Sequence, residues 1–171
     1  MEIKVLIAYA SIHGSTQEVA EAVATTIRTL RFTVDLKPVR SVQTLAGYQA
    51  VVLGAPMYMF KLHKDTFRFL SRFKDNIAMG TPVAVFAGGP FGEATPQVWQ
   101  KVRQNLDQEL AKVSWFTPIS VLVVGGKFDP NSLRFPYNLI PAMRQMPPSD
   151  LRDWEAIRYW ASSLVTQLQP D

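Results

Sequence analysis

The chain has 171 residues, 47% apolar and 19% charged, so it is long enough to bury a core and unlike a disordered chain. It has no cysteine, which excludes disulfides, thiolate catalysis and cysteine-ligated zinc or iron–sulfur centres. The formal charge of +4 suits an anionic ligand, an anionic partner or a membrane surface. At this length we expect one folded domain over residues 1–171. Aromatic residues do not alternate with basic ones, so we expect no binding of nucleic acid.

The N-terminal half alternates apolar, strand-like runs with helical patterns. The first run, IKVLIA, has no basic leader and no cleavage site, so we interpret it as a strand and not as a signal peptide. The predicted elements are a strand at 3–8, a helix at 15–31, a strand at 32–36, a short and weak helix around 41–47, a strand at 48–54 and a helix at 63–75.

The C-terminal half continues the alternation and then becomes irregular. We predict a strand at 81–89, a helix at 95–113, a strand at 119–126, a proline-rich segment at 127–150 and a last helix that starts near 148–150. The segment 127–150, called the excursion below, is too long for an ordinary connection and is either a functional element or a loop folded onto the body. Five apolar strands that alternate with helices predict an α/β fold with a parallel sheet covered on both faces.

Hydroxyl groups, an imidazole and a glycine crowd the turn between the first strand and the first helix, in the sequence YASIHGSTQ. A helix N-terminus offers unpaired N–H groups and partial positive charge, which suits a phosphate. Plain helix capping by Ser11 and Ser15 is the alternative. The glycine patterns of dinucleotide-binding and P-loop proteins are absent. The candidate phosphate-binding residues are Ser11, Ile12, His13, Gly14, Ser15 and Thr16.

Two further loops should reach the same edge of the sheet, because the carboxyl ends of parallel strands meet there. One loop is bulky and apolar and the other is rich in glycine, which together suit a planar heteroaromatic ring. Loops that only seal the core are the alternative. The residues are Pro56, Met57, Tyr58, Met59 and Phe60 after the third strand, and Gly88, Gly89, Pro90, Phe91 and Gly92 after the fourth.

The first loop and the strand pattern together resemble the flavodoxin family. The family's phosphate loop, Ser/Thr-x-Thr/His-Gly-x-Thr, is matched by SIHGST at residues 11–16, and the resemblance covers essentially the whole chain. It implies a flavodoxin-like three-layer sandwich, with a five-stranded parallel sheet of order 2-1-3-4-5 and FMN at the point where the strand order reverses. It also implies that the FMN phosphate contacts Ser11, His13, Gly14, Ser15 and Thr16, and that the ring lies between the other two loops.

The chain departs from an ordinary small flavodoxin in its charge and its second loop. Electron-shuttling flavodoxins are usually acidic, whereas Lys61, Lys64, Arg68 and Arg72 here are spaced to share one helix face. That face is either a solvated surface or a docking surface for an acidic protein or anionic lipid. The family's second loop often carries a glycine whose peptide flips toward the reduced ring, and Phe60 stands in that neighbourhood.

The stretch GAPMYMFKLHKDTFRFL resembles the branch that contains menaquinone-dependent protoporphyrinogen oxidase, whose members also carry an aromatic and basic excursion before the last helix. This resemblance implies quinone-linked oxidation of protoporphyrinogen in heme biosynthesis. Aromatic residues beside arginines in the excursion would then hold a tetrapyrrole carboxylate or rest among lipid headgroups. A loop packed on the fold is the alternative.

The first functional hypothesis is an FMN-dependent oxidoreductase that passes electrons through its flavin to a quinone or a redox partner. A protoporphyrinogen oxidase and a flavodoxin-type shuttle without its own substrate both remain open within it. The second hypothesis is a non-catalytic module that binds a partner. We expect no metal site and a cytoplasmic protein, with contact at the anionic inner face of a membrane left open.

Overall fold

The computed structural model describes residues 2–11, 14–90, 92 and 94–168. Apolar runs form the strands, and amphipathic stretches between them form the helices. In chain order the elements are β1 (Lys4–Tyr9), α1 (Ser15–Thr29), β2 (Thr33–Pro38), a 3₁₀ turn (Val39–Ser41), β3 (Ala50–Ala55), β4 (Met57–Tyr58), β5 (Lys61–Leu62), α2 (Lys64–Arg72), α3 (Lys74–Ala78), β6 (Val83–Gly88), α4 (Pro96–Ala111), β7 (Ser120–Val124), β8 (Lys127–Phe128), two 3₁₀ turns (Pro130–Ser132 and Tyr137–Leu139), α5 (Pro141–Gln145), β9 (Ser149–Asp150) and α6 (Trp154–Leu168).

The main sheet has five parallel strands in the order β2-β1-β3-β6-β7. Counting only these strands, the order is 2-1-3-4-5, which confirms the flavodoxin-like topology predicted from the sequence. The strand order reverses between β1 and β3, because the chain first steps outward to β2 and then returns past β1. Loops that follow β1, β3 and β6 therefore leave three adjacent strands at one edge.

Each face of the sheet carries its own apolar layer, which confirms the predicted sandwich. Side chains alternate along β1, so Val5 and Ile7 pack in one cluster while Leu6 packs in the other. The first cluster is completed by α1 and α6, and the second by α2 and α4. In the first cluster Trp160 is buried and donates its indole N–H to Ser120 Oγ at 2.9 Å.

Three predicted elements differ from the structure. The weak helix expected around 41–47 is wrong, since only the 3₁₀ turn at 39–41 forms there. The helix expected over 63–75 ends at Arg72, and α3 follows it as a separate helix. The last helix begins at Trp154 and not near 148–150, because Ser149 and Asp150 pair with β8 as strand β9. Asp153 starts this helix, with its Oδ1 accepting the Ala156 N–H at 3.0 Å.

The excursion is closed at its base and exposed in its middle. Strands β8 and β9 pair antiparallel across its two ends, and the Leu151 N–H donates to the Gly126 carbonyl at 3.0 Å. Between them, Phe135 is 77% exposed and Leu139 is 65% exposed. No helix in the described part of the chain combines the length and apolar character needed to cross a membrane.

Candidate functional site

The first loop closes around its glycine. Gly14 adopts a left-handed backbone, with φ of 82°, and its N–H donates to Ser11 Oγ at 2.9 Å. No side chain of the described residues caps the first turn of α1, so the helix-capping interpretation of Ser11 and Ser15 is wrong. Ile12 and His13 lie outside the described residues.

The donor set of this loop fits a phosphate. The first turn of α1 presents backbone N–H groups, and this helix of 15 residues adds partial positive charge at its start. Thr16 is buried and Ser15 is half-buried beside that turn. A Cβ at Gly14 would have no atom within 4 Å, so the space above the turn is open.

The second loop is a tight antiparallel hairpin made of β4 and β5. Met59 and Phe60 form its turn with φ of 49° and 64°, two positive values that asparagine and glycine normally supply. The hairpin closes at its base, where the His63 N–H donates to the Pro56 carbonyl at 3.1 Å. Met59 is 82% exposed and Phe60 is 52% exposed, so the turn presents its apolar side chains outward. Such strain at an exposed turn is typical of functional loops.

Helix α4 supports this hairpin through a buried carboxylate. The Leu62 N–H donates to Glu109 Oε2 at 3.1 Å, and Glu109 also pairs with Lys112 one turn further on. The Lys101 ammonium lies 5.3 Å from the centre of the Phe60 ring. A polar residue within the apolar spacing of α4 was the available sequence signal for Glu109, and the sequence reasoning did not use it.

The third loop contains glycines of two kinds. A Cβ at Gly89 would lie 2.7 Å from both Val123 Cγ1 and the Val124 carbonyl oxygen, so this glycine serves close packing against β7. A Cβ at Gly88 or Gly92 would meet no atom within 4 Å. These two glycines leave room for a ligand, and Phe91 lies outside the described residues.

The three loops share one edge of the sheet. The Ala10 N–H donates to the Gly54 carbonyl at 2.9 Å, which ties the start of the first loop to the end of β3. Ala55 of β3 is in register with Ala87 of β6, so the second and third loops start side by side. The described candidates Ser11, Gly14, Ser15, Thr16, Pro56, Met57, Tyr58, Met59, Phe60, Gly88, Gly89, Pro90 and Gly92 therefore lie along the ends of three neighbouring strands.

A cavity of about 620 Å³ opens beside the first loop, toward the end of β2. Its wall includes charged and polar residues from three separate elements and from the excursion, which the sequence reasoning did not assign to the site. They are Gln17, Arg40, His63, Asp65 and Arg134.

Asp65 is the buried charge of this cavity, with 7% of its surface exposed. Its carboxylate accepts from Arg40 Nε at 2.7 Å and from Arg68 Nη1 at 3.3 Å. Burial raises the pKa of Asp65, but the hydrogen bond and charge of Arg40, with His63 and Arg68 adding to them, outweigh burial and hold the pKa below its usual value. The carboxylate therefore stays ionised and neutralises part of the surrounding positive charge.

The basic helix face expected from the sequence is wrong for Lys61 alone, because Lys64, Arg68 and Arg72 lie four residues apart in α2. Lys61 lies in β5, before α2 begins, so it does not share the helix face. Arg68 is engaged by Asp65, and Arg72 donates to the Gln43 carbonyl at 3.4 Å. What remains is a surface of partly paired arginines.

Together, the strand order and the loops after β1, β3 and β6 define a doubly wound α/β protein, the class of fold whose ligands bind at the switch point. The flavodoxin domain family model matches residues 6–140, so the chain belongs to the flavodoxin domain family. Flavodoxin domains bind FMN, in agreement with the cofactor that the sequence predicts. No curated protein matches the chain.

Solved structures show the same fold at low sequence identity. Oxidised flavodoxin 1 from Bacillus cereus is 19% identical, with a TM-score of 0.61 and coverage of 97% of this chain and 99% of that one. A flavo di-iron protein mutant from Thermotoga maritima is 19% identical with a TM-score of 0.60, covering 99% of this chain and 37% of its own. Rubredoxin oxygen:oxidoreductase from Desulfovibrio gigas is 18% identical with a TM-score of 0.57, covering 96% of this chain and 36% of its own.

Proposed function

We propose that this chain binds FMN and passes electrons through it to and from a redox partner. The observation that carries the proposal is the first loop, an uncapped helix N-terminus closed by the Ser11–Gly14 hydrogen bond. The apolar hairpin and the open glycines at the next two strand ends support it. No group of three or more potential metal ligands occurs in the described residues.

Each loop has a distinct role in this proposal. The first loop binds the phosphate through backbone N–H groups and hydroxyls, and the residues involved are Ser11, Ile12, His13, Gly14, Ser15 and Thr16. The hairpin residues 56–60 cover one side of the ring and exclude water, while residues 88–92 approach it with main chain. Bound FMN supplies the electron-transfer chemistry, and the protein orients it and sets its surroundings.

The test begins with the colour of the purified protein. Protein prepared without added cofactor should be yellow and should release FMN on heating. Apoprotein should then quench the fluorescence of added FMN and bind riboflavin more weakly, because riboflavin lacks the phosphate. A colourless protein that fails to bind added FMN would contradict the proposal and leave the non-catalytic partner-binding module as the better account.

A serine variant localises the binding to the first loop. Ser11→Ala removes the hydroxyl that holds Gly14, and we expect it to weaken FMN binding by roughly tenfold, the loss of one hydrogen bond of about 1 kcal/mol with some loop disorder. Ser162→Ala is the matched control, since Ser162 bonds only its own helix at the Arg158 carbonyl. Equal FMN affinity in both variants would place the phosphate elsewhere.

The excursion favours a second, more specific function, the quinone-linked oxidation of protoporphyrinogen. Phe135, the next residue after Arg134, and Leu139 expose their apolar side chains, and Arg134 itself lines the cavity. A hydrophobic substrate with carboxylate groups matches that combination, as does a lipid surface. FMN-loaded protein should then turn over protoporphyrinogen with a menaquinone analogue. No turnover, together with reduction of a protein partner, would leave the electron shuttle as the function.

A further inference from the structure

The excursion reaches from one side of the sheet to the other. Its ends are held beside β7, the edge strand furthest from β2. Arg134 nevertheless lines the cavity together with Ser11 and Gly14, which follow β1, and with Val39, which follows β2. The excursion therefore crosses the carboxyl edge of the sheet and brings Arg134 to the wall of the cavity that the phosphate loop also lines.

The base that sets this path is fixed by several contacts. Ser149 Oγ accepts the Gly92 N–H at 2.9 Å, so the excursion is fastened to the third loop. The Arg152 side chain, only 4% exposed, pairs with both Asp150 and Glu18 of α1. Because Glu18 lies in the first turn of α1, the same ion pair fastens the excursion to the helix that follows the phosphate loop.

Charge pairing leaves Arg134 as the uncompensated cation of the cavity wall. Arg40 is neutralised by Asp65. The acidic groups of the excursion are also engaged, Asp129 by the Asn131 N–H at 2.9 Å and Asp150 by Arg152. Among the residues that the structure describes, no carboxylate lies within ion-pair distance of Arg134.

The phosphate loop, in contrast, is short of positive charge among its described residues. Its described residues, Ser11 and Gly14 to Gln17, contribute hydroxyls and N–H groups but no positive side chain. From these described residues a phosphate would meet partial charges only, while Arg134, for which the described residues offer no acidic partner, lines the same cavity.

We propose that Arg134 binds the phosphate of FMN, so that the excursion acts as a clamp that closes over the bound cofactor. This inference rests on the proposed FMN function and adds to it a residue from outside the three loops. A guanidinium matches phosphate geometry with paired hydrogen bonds, which lysine cannot reproduce. The contribution should also fall with salt, because Arg134 is exposed.

The first experiment compares FMN and riboflavin binding to apoprotein by fluorescence quenching. Arg134→Ala should raise the dissociation constant for FMN roughly tenfold at low salt and leave that for riboflavin unchanged. Arg134→Lys should raise the dissociation constant for FMN by a smaller factor. Added salt should reduce the difference in FMN affinity between the wild type and Arg134→Ala. Arg144→Ala is the matched control, an exposed arginine of the same excursion that does not line the cavity.

The second experiment reads the closure itself through limited trypsin digestion of the wild type. Arg134 and Arg144 are both exposed cleavage sites in the excursion. FMN should slow cleavage after Arg134 relative to cleavage after Arg144, whereas riboflavin should leave the ratio unchanged. These measurements use the full chain and need no substrate or partner.

The outcomes separate this inference from the proposed function. FMN binding by the wild type with an unchanged affinity in Arg134→Ala would overturn the clamp and leave FMN binding intact. Parallel losses for FMN and riboflavin would also overturn it, because Arg134 would then act on the fold or the ring and not on the phosphate. Failure of the wild type to bind FMN would contradict both the clamp and the proposed FMN function.

Discussion

The hydrogen bond from Leu62 to Glu109 predicts that a residue in the last turn of α4 controls the conformation of the β4–β5 hairpin. Glu109→Leu would leave the buried Leu62 N–H without its acceptor. A hydrogen bond to a charged group contributes about 1.5–3 kcal/mol, and loss of the Lys112 pair adds at most about 0.5 kcal/mol because the Lys112 side chain is 58% exposed. We therefore expect a loss of about 2–3 kcal/mol, with Glu109→Gln losing less because its amide oxygen still accepts.

The assay measures both the whole fold and the hairpin. Urea unfolding of the apoprotein gives the global loss, and hydrogen exchange at the Leu62 amide gives the local one. About 2 kcal/mol corresponds to roughly 30-fold faster exchange where the hairpin opens locally. Asp107→Asn is the control, because its carboxylate pairs only with Arg103 on the exposed face of the same helix.

FMN binding then connects the hairpin to function. Since the turn at Met59 and Phe60 depends on this support, Glu109→Leu should also weaken the binding of riboflavin and FMN by similar factors. An unchanged hydrogen-exchange rate at the Leu62 amide, in a Glu109→Leu protein that is globally destabilised, would contradict this role of Glu109. Glu109 would then stabilise α4 alone.

Three further predictions concern the turn, the sheet and the excursion. Met59→Gly should stabilise the apoprotein to urea by about 0.5–1 kcal/mol, because it relieves a left-handed backbone at an 82% exposed side chain; a destabilised variant would show that the turn is not strained. Gly54→Ala should lower the unfolding free energy by about 2–3 kcal/mol, since its Cβ would lie 2.9 Å from Phe86 Cε2, and Phe86→Leu should restore part of that loss if the clash is the cause. Hydrogen bonds from Arg152 hold the pKa of Asp150 below its usual value despite partial burial. The contribution of ionised Asp150 to the unfolding free energy is therefore complete above the unfolded pKa of about 3.9, and it is lost as pH falls through the lower native pKa. Asp150→Asn should therefore flatten the acid limb of the stability–pH curve, and an unaltered limb would contradict this assignment.

The strands and most helices could be predicted from the sequence because their signals are local. Apolar alternation along residues such as Val5, Leu6 and Ile7 is sufficient to place a strand and both of its faces. The first loop could also be predicted, because its glycine and hydroxyl residues lie within the six positions 11–16. The open question there was capping, which depends on the direction of the Ser11 side chain.

The errors arose where distant residues decide the local structure. Ser149 and Asp150 carry helix-start chemistry, but pairing with Lys127 and Phe128 draws them into a strand. The hairpin turn at Met59 and Phe60 contains none of the residues that usually mark such turns, and its support comes from α4. The cavity wall cannot be predicted from local sequence patterns, because Asp65 and Arg134 are far apart in the chain and neither belongs to a motif.

The paired strands at the base of the excursion make it a replaceable cassette. Leu151 packs so closely on Gly125 that the chain leaves the sheet and returns to it at nearly the same place. The segment between can change in length or composition while the five-stranded core keeps its packing. Under our proposal, such a change would also replace Arg134, and with it the clamp on the FMN phosphate, while the sheet itself is kept.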